Sequence, residues 1–451
     1  LLHVSRDGGK NWSDVTPAKM PEDAMVNCVE VDPHRPGGLY VAATRYKLGD
    51  YSPYLYHTSD YGSTWSIITK GIDRGHFTRV IRADRHTPDL LYAGTEFGLY
   101  ASSNGGENWS SMQLNLPQVP ITDLALKDND LIVATQGRSF WILDDLDVIW
   151  QSLEEPMDSD ALRLFAPHPT IGFGGGNGKS SHTKGTNHPA GVRLFFQLPP
   201  DVDAATLTFK DSKGTVIRSF GTDSSGDDAL EVKEGMNRFD WDLRCEKADD
   251  FEGLLMWWGT LRGPVVPPGI YSAELTADDD TLTANFEIQL DPRSEGTVAD
   301  RLAQFEFLKS VRDKVDETHD AIRHMRAMRS QISGLLKRLE KEDHPSLFGK
   351  AEALDSSMVA IEEVLYQTKL KSNQDMLNYP IKLNNKLAHV GSLASMGIYK
   401  PTDQMEGVKA DLTAKIDVQL SAWYWLRDEQ IPAFNVLIRE SEIDFIGVPK
   451  D

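Results

Sequence analysis

Five side chains in the first third of the sequence combine charge or a titratable ring with a position beside a short strand or in a glycine-flanked turn. They are His76, Arg79 and Arg82 in the segment 75–84, Glu96 in the turn 94–98, and Arg138 in the turn 136–140. A planar guanidinium presents a fork of N–H donors that matches a carboxylate or a pair of sugar hydroxyls. Arginines gathered on one surface are therefore candidates for holding an acidic or polyhydroxylated ligand. Glu96 is the acid to which a catalytic role would fall. Glycoside hydrolysis asks for more, since two carboxylates must flank the scissile bond at about 5 Å or about 6.5–9.5 Å. Neither an arginine triad nor a Tyr/Glu nucleophile can be mapped onto this chain. The competing expectation is that these arginines pair with neighbouring acids and serve the fold. Both expectations require partial burial.

Other stretches with chemical potential are weaker. Trp257 and Trp258 close the run Leu-Leu-Met-Trp-Trp at 254–258; exposed, it would be a ligand or partner surface, and otherwise it is an insertion packed on its neighbour. Residues 172–178 carry five glycines and precede Lys179 and Ser180. A phosphate loop needs a glycine where this sequence has Phe173, so the stretch reads as a flexible linker. His168, His182 and His188 share that linker at a spacing that fits no common zinc pattern, and neither metal nor cofactor is expected. Cys28 and Cys245 form no knuckle or redox motif. No Gly-x-Ser-x-Gly or His-Glu-x-x-His stretch points to a hydrolase of peptides.

Positioning the first set of residues falls to a repeat. The octapeptide 5–12 (Ser-Arg-Asp-Gly-Gly-Lys-Asn-Trp) returns at 58–65 and 102–109, and a repeat of this kind marks an array of like structural units. Asp7 and Asp60, with Asn104 in the third copy, supply a side-chain acceptor for turn amides. Gly9, Gly62 and Gly106 supply a residue free to take positive φ. Trp12, Trp65 and Trp109 each enter the next strand and are expected to bury their rings between sheets. The pattern resembles the Asp-box, or bacterial neuraminidase repeat, of sialidase-like, xyloglucanase-like and sortilin-like β-propellers. The resemblance implies that the boxes are structural, at the blade periphery. It also implies that the first strand of each blade lines a central channel, which gives His76, Arg79, Arg82, Glu96 and Arg138 their weight.

Residues 1–150 read as a partial propeller of roughly three blades, with strands near 26–31, 39–44, 54–57, 80–83, 90–94, 99–101, 121–126, 131–134 and 140–143. Closed propellers have four to eight blades. The chain opens on Leu1 inside a repeat, so further blades and any export signal are expected upstream. Residues 151–191 are the linker, and 192–291 alternate like a β-sandwich of about a hundred residues. Within it, 235–243 and 267–275 resemble the Ig-like sandwich of flagellar hook-capping proteins. From 292 to 451 the apolar period becomes helical. Thr297 and Asp300 form a capping box before a helix to about 341, roughly 65 Å at 1.5 Å per residue. Helices at 347–377, 381–395, 402–427 and 432–439 complete an up-and-down bundle, with Met325 and Met328 in its core and His319 and His324 on its surface.

With 451 residues, a formal charge of −21, 40% apolar and 25% charged residues, the chain is globular material that repels nucleic acid and anionic lipid. It has no run long enough for a membrane span. Together with 378–387 and 431–437, the boxes resemble large exported bacterial propeller proteins described as glycosyl hydrolases of the neuraminidase-repeat type. That implies an extracytoplasmic protein. The function expected is a glycan- or protein-binding scaffold; the alternative is a glycoside hydrolase whose channel is completed by upstream blades, leaving this chain inactive alone.

Overall fold

The computed structural model describes residues 1–155, 158, 160–172, 185, 187–441 and 443; the glycine-rich run from 173, Lys179, Ser180 and His182 lie outside them. The chain divides into two compact units, Leu1–Ala161 and Leu162–Asp451.

The first unit is a row of antiparallel meanders of propeller-blade type. A ribbon of β1 (His3–Val4) and β2 (Ser13–Asp14) is followed by β3 (Met25–Val31), β4 (Leu39–Arg45), β5 (Asp50–Thr58) and β6 (Ser66–Ile67), paired in chain order. A second four-stranded sheet contains β7 (Thr78–Ala83), β8 (Leu91–Thr95), β9 (Gly98–Ser102) and β10 (Ser110–Ser111). The third contains β11 (Ile121–Lys127), β12 (Asp130–Thr135) and β13 (Phe140–Leu143), then helix α1 (Asp147–Glu154). The sheets pack face to face. Ile81 joins Tyr40, Ala42 and Leu55 in one core, while Val80 joins Ile121, Leu124 and Val133 in the next.

The octapeptide turns follow their expected chemistry. Asp60 Oδ1 accepts from Thr64 N at 2.8 Å and its Oδ2 from Thr64 Oγ1 at 2.7 Å; these bonds, the side-chain one first, hold the carboxyl down at about 2. Asn104 keeps the acceptor, taking Asn108 N at 3.0 Å. Gly9, Gly62 and Gly106 have φ of 88°, 82° and 89°. The tryptophans divide. Trp109 is 4% exposed, and its Nε1 donates to Ile68 O at 2.7 Å. Half-buried Trp65 donates to Val15 O at 2.8 Å. Val15 and Ile68 each stand three residues beyond the tryptophan of the preceding copy, so each indole staples its turn to the repeat before it. In the first copy Trp12, expected to be buried, is 62% exposed with Nε1 turned onto its own Gly9 O at 3.1 Å.

The second unit opens within the expected linker, where β14 (Arg163–Leu164) and β15 (Thr170–Gly172) join sheets instead of forming a loose connection. β14, β16 (Val192–Leu198) and β19 (Gly235–Trp241) form one sheet. β15, β21 (Asp280–Leu290), β20 (Gly269–Ala277), β17 (Ala205–Asp211) and β18 (Val216–Gly221) form a five-stranded sheet in that order. The two share one core, with Phe209 stacked on Trp241 at 4.2 Å. α2 (Val298–Leu336) begins at the expected capping box, where Thr297 Oγ1 accepts from Asp300 N at 3.1 Å. α2 stops at Leu336, short of 341. α3 (Pro345–Leu365) ends twelve residues before the expected 377, and Asp375–Leu377 is a separate 3-10 turn. α4 (Leu383–Ala394), α5 (Asp403–Trp425), a π-helical turn (Leu426–Gln430) and α6 (Ile431–Glu440) complete the helical part. No helix among the described residues is long and apolar enough to cross a membrane.

His319 departs from its expected surface position. It is buried because the segment 248–263 leaves the sandwich and lies on α2, sending Ala248 and Phe251 into the helical core. His319 Nδ1 donates to Asp249 O at 2.6 Å and Nε2 accepts from Asn384 Nδ2 at 3.2 Å. His324 is exposed; Met325 is buried and Met328 packs against the core.

Candidate functional site

A backbone irregularity recurs in the first strand of each of the three larger sheets of the first unit. Pairing shifts between Val26 and Cys28 in β3, between Thr78 and Val80 in β7, and between Ile121 and Asp123 in β11. The residue left out of register is Asn27, Arg79 or Thr122. A β-bulge of this kind leaves one residue unpaired and re-aims its side chain. The three larger sheets thus place a different side chain at the same structural position, and Arg79 is the charged one.

Arg79 leans toward the β8–β9 turn. Its Nε and Nη2 both reach Glu96 Oε2, at 2.7 and 2.6 Å, with the two side chains 23% and 25% exposed. The guanidinium lies over the rings of Phe77 at 5.2 Å and Tyr46 at 5.7 Å, which stack on each other at 4.8 Å. Tyr51 tilts against Phe77 at 6.1 Å. On the other side His76 stacks on Phe97 at 4.9 Å, and its Nδ1 is 2.9 Å from Tyr100 Oη. Tyr100 is pushed above the ordinary phenol range, chiefly by burial. Tyr51 and Phe97 remain 54% and 45% exposed. The turn holding Glu96 and Phe97 is rigid: Glu96 N donates to Phe77 O at 3.1 Å and Thr95 Oγ1 to Gly98 O at 2.9 Å. Gly98 sits at φ 134°, where a Cβ would meet Gln113 Oε1 at 2.0 Å. His76, Arg79 and Glu96 thus come together in a half-buried polar seam between two exposed aromatic rings.

Arg82 plays a different part. It donates from Nε to Leu124 O at 2.7 Å, from Nη1 to Ile81 O at 2.9 Å and Cys28 Sγ at 2.8 Å, and from Nη2 to Asp123 Oδ1 at 2.8 Å. Glu30 Oε2 lies 3.5 Å away; burial pushes its carboxyl up against the pull of Arg82. One guanidinium so ties β3, β7 and β11 together. Arg138 is exposed on the β12–β13 turn, where its carbonyl accepts from Trp141 Nε1 at 3.0 Å.

The sequence-based reading missed the aromatic partners Tyr46, Tyr51 and Phe97. It also missed a second repeat, Asp-x-x-x-Pro-x-x-Leu-Tyr, at 32–40 and 84–92. Asp84, 1% exposed, accepts from His86 N and Thr87 N at 2.8 Å and from Trp150 Nε1 at 3.1 Å. Asp32 accepts from His34 N at 2.9 Å and Arg35 Nη1 at 3.2 Å. These buried turns brace the edges of the sheets.

In the second unit, Trp257 is clamped by Asn385, whose side chain both accepts from its N and donates to its O at 2.8 Å. Trp258 is 72% exposed with φ 57° and lies edge-on to His389 at 5.8 Å. The rest of that run packs inward, with Leu254 and Met256 against the helical core. His168 and His188 are exposed. Among the described residues no group of three or more His, Cys, Asp or Glu could hold a metal ion. Cys28 and Cys245 are free thiols, and burial pushes Cys245 up to about 11.

No family model matches this chain, and no curated protein does. Among solved structures it is similar to YCF48 bound to D1 peptide, at 15% identity over 48% of this chain and 61% of that one, TM-score 0.23. YCF48 from Cyanidioschyzon merolae follows at 16% identity, 44% and 59% coverage and TM-score 0.22. An ancestral GH74 enzyme shows 11% identity, 60% and 24% coverage and TM-score 0.21. The chain spans less than two thirds of the length of each.

Proposed function

We propose that this chain is a non-catalytic binding scaffold whose first unit receives an extended partner across the seam of His76, Arg79 and Glu96 between Tyr51 and Phe97. The observation that carries this reading is the Arg79–Glu96 pair. Both guanidinium contacts fall on Glu96 Oε2, so the one acid offered as a catalyst is engaged as an ion-pair acceptor. Exposed aromatic faces beside a rigid charged pair suit a ligand that alternates apolar faces with hydroxyls or amides. An oligosaccharide is the first class to test and a polypeptide the second. The wider assignment is an extracytoplasmic protein with a propeller-like module at 1–150 whose octapeptides are Asp-boxes, an Ig-like sandwich at 192–291 and a helical bundle at 292–451.

The test is a glycan array and affinity electrophoresis in polysaccharide gels with the full chain. Phe97→Ala, Tyr51→Ala and Arg79→Met are each expected to weaken retention at least tenfold, from stacking worth about 1–2 kcal/mol and loss of the paired charge. Retention untouched by all three substitutions refutes the placement. Release of reducing ends that Glu96→Gln abolishes refutes the non-catalytic reading.

A further inference from the structure

A cavity of about 290 Å³ opens in the second unit where the segment 244–264 meets α2 and α4. Three guanidiniums line it, those of Arg244, Arg262 and Arg312, and its described lining residues include no acid. Its floor is apolar, made by Leu308, Val311 and Ala388. In a chain of net charge −21, such a concentration of cations against hydrocarbon is costly without a counter-charge.

The charges are poorly compensated. Asp242 accepts from Arg244 N at 3.2 Å but hydrogen-bonds none of the three guanidiniums it faces, which lie 3.6 Å (Arg244), 3.7 Å (Arg262) and 3.8 Å (Arg218) away, beyond hydrogen-bonding range. Asp313 is divided between Lys309 and Arg312, each at 2.9 Å. Arg312 Nε is buried without a hydrogen-bond partner. Arg244 donates to Gly263 O at 2.8 Å, which orients its fork without neutralising it. Arg244 is held below the ordinary guanidinium range by burial first and by Arg262 second, and Arg301 by burial first and Arg244 second. The Arg244 and Arg312 side chains are 27% and 19% exposed and Arg262 is 68% exposed. A small molecule can therefore reach the site past the exposed Arg262 side chain and find two covered cations.

We infer that this cavity binds a small organic carboxylate, its anionic end held by Arg244, Arg262 and Arg312 and its apolar body seated on Leu308, Val311 and Ala388. The forked donors match a carboxylate bidentately, and the cavity volume is near the lower end for small-molecule sites. A peptide C-terminus ending in an apolar residue has this chemistry; a uronic acid shares the carboxylate but brings hydroxyls to the apolar floor.

Isothermal titration of the full chain with N-acetyl-leucine, glucuronate, N-acetyl-leucinamide and inorganic phosphate separates the sources. The expected result is saturable binding of at least one carboxylate, none of the amide, and weaker binding of phosphate, which cannot use the apolar floor. Arg262→Gln and Arg312→Gln should each weaken the carboxylate at least tenfold, while Lys415→Gln, an equal charge change on exposed α5, should leave it unchanged. Arg262 is solvent-exposed, so its variant tests the site without threatening the fold. Absence of heat with both carboxylates at millimolar concentration, equal binding of phosphate, or indifference to both arginine variants overturns the inference.

Discussion

The three tryptophans of the octapeptide repeat hold the same place in one pattern, and the structure predicts that they differ in worth. Trp109→Ala removes a ring that is 4% exposed and orphans Ile68 O, which accepts its indole N–H at 2.7 Å. Burying an aromatic side chain of this size and then deleting it costs about 3–5 kcal/mol. Trp109→Phe keeps most of the packing and loses the bond to a covered carbonyl, about 1–3 kcal/mol. Trp12→Ala touches a ring that is 62% exposed and bonded only within its own turn, and should stay within about 0.5 kcal/mol. Half-buried Trp65, tied to Val15 O, belongs between, at about 2 kcal/mol. Because the chain has two compact units, one global melting curve mixes transitions. Hydrogen exchange of peptides from β4, β7 and β8 reads the first unit alone. Equal losses for Trp12→Ala and Trp109→Ala would refute the staple and make the tryptophan a local feature of each turn.

Three further outcomes follow from buried polar groups in the second unit. His319 is depressed below the ordinary imidazole range, burial being the largest cause, so its unfolded form takes up a proton more readily. The stability it contributes is present above about pH 6.5 and is lost as pH falls below that. Exchange protection of α2 and α4 should drop between neutral and mildly acidic pH, and His319→Gln should flatten that slope. Glu362, 3% exposed, accepts from Arg326 Nε at 2.8 Å and Arg329 Nη1 at 3.2 Å; Glu362→Ala leaves Arg326 without its counter-charge while Arg329 keeps Asp355 at 2.8 Å, and should cost about 1–3 kcal/mol in urea unfolding followed by α3 exchange. Asn385→Ala releases both backbone bonds of Trp257 and should make the segment 252–260 a site of limited proteolysis while the sandwich stays resistant.

Strand positions were legible because alternation and turn residues are local. The strand at 140–143 was read to the residue, and most others differ by one or two residues at an end. The capping box at Thr297 was legible for the same reason. What sequence could not carry was anything decided between elements. The burial of His319 depends on a segment some 70 residues earlier lying across α2. The overlong second helix came from following an apolar stripe past Leu365, where Tyr366 turns extended with ψ 147°. β14 and β15 are too short for a period to register.

The bulge adds a reason why the candidate site was only half visible. In β3, β7 and β11 the framework around the bulge is constrained, since the flanking residues pack into the cores between sheets. The bulged residue differs from sheet to sheet, Asn, Arg and Thr in turn, and each makes its own bonds: Asn27 Nδ2 donates to Thr78 O at 3.3 Å, Arg79 pairs with Glu96, and Thr122 Oγ1 donates to Ala134 O at 3.1 Å. A scaffold that fixes the place and frees the residue separates stability from recognition, which is how one fold comes to serve unrelated ligands. It follows that exchanging exposed Thr122 for Arg should leave exchange protection of the sheets unchanged while altering which ligands are retained, whereas Asn27→Arg also removes the bond to Thr78 O and should loosen β3 against β7. Arg82, two residues beyond the paired Val80, should tolerate no such exchange, because its donors join three strands. Arg82→Gln should loosen β3 and β11 together, and a variant that loosened neither would break the distinction between the bulge and the tie.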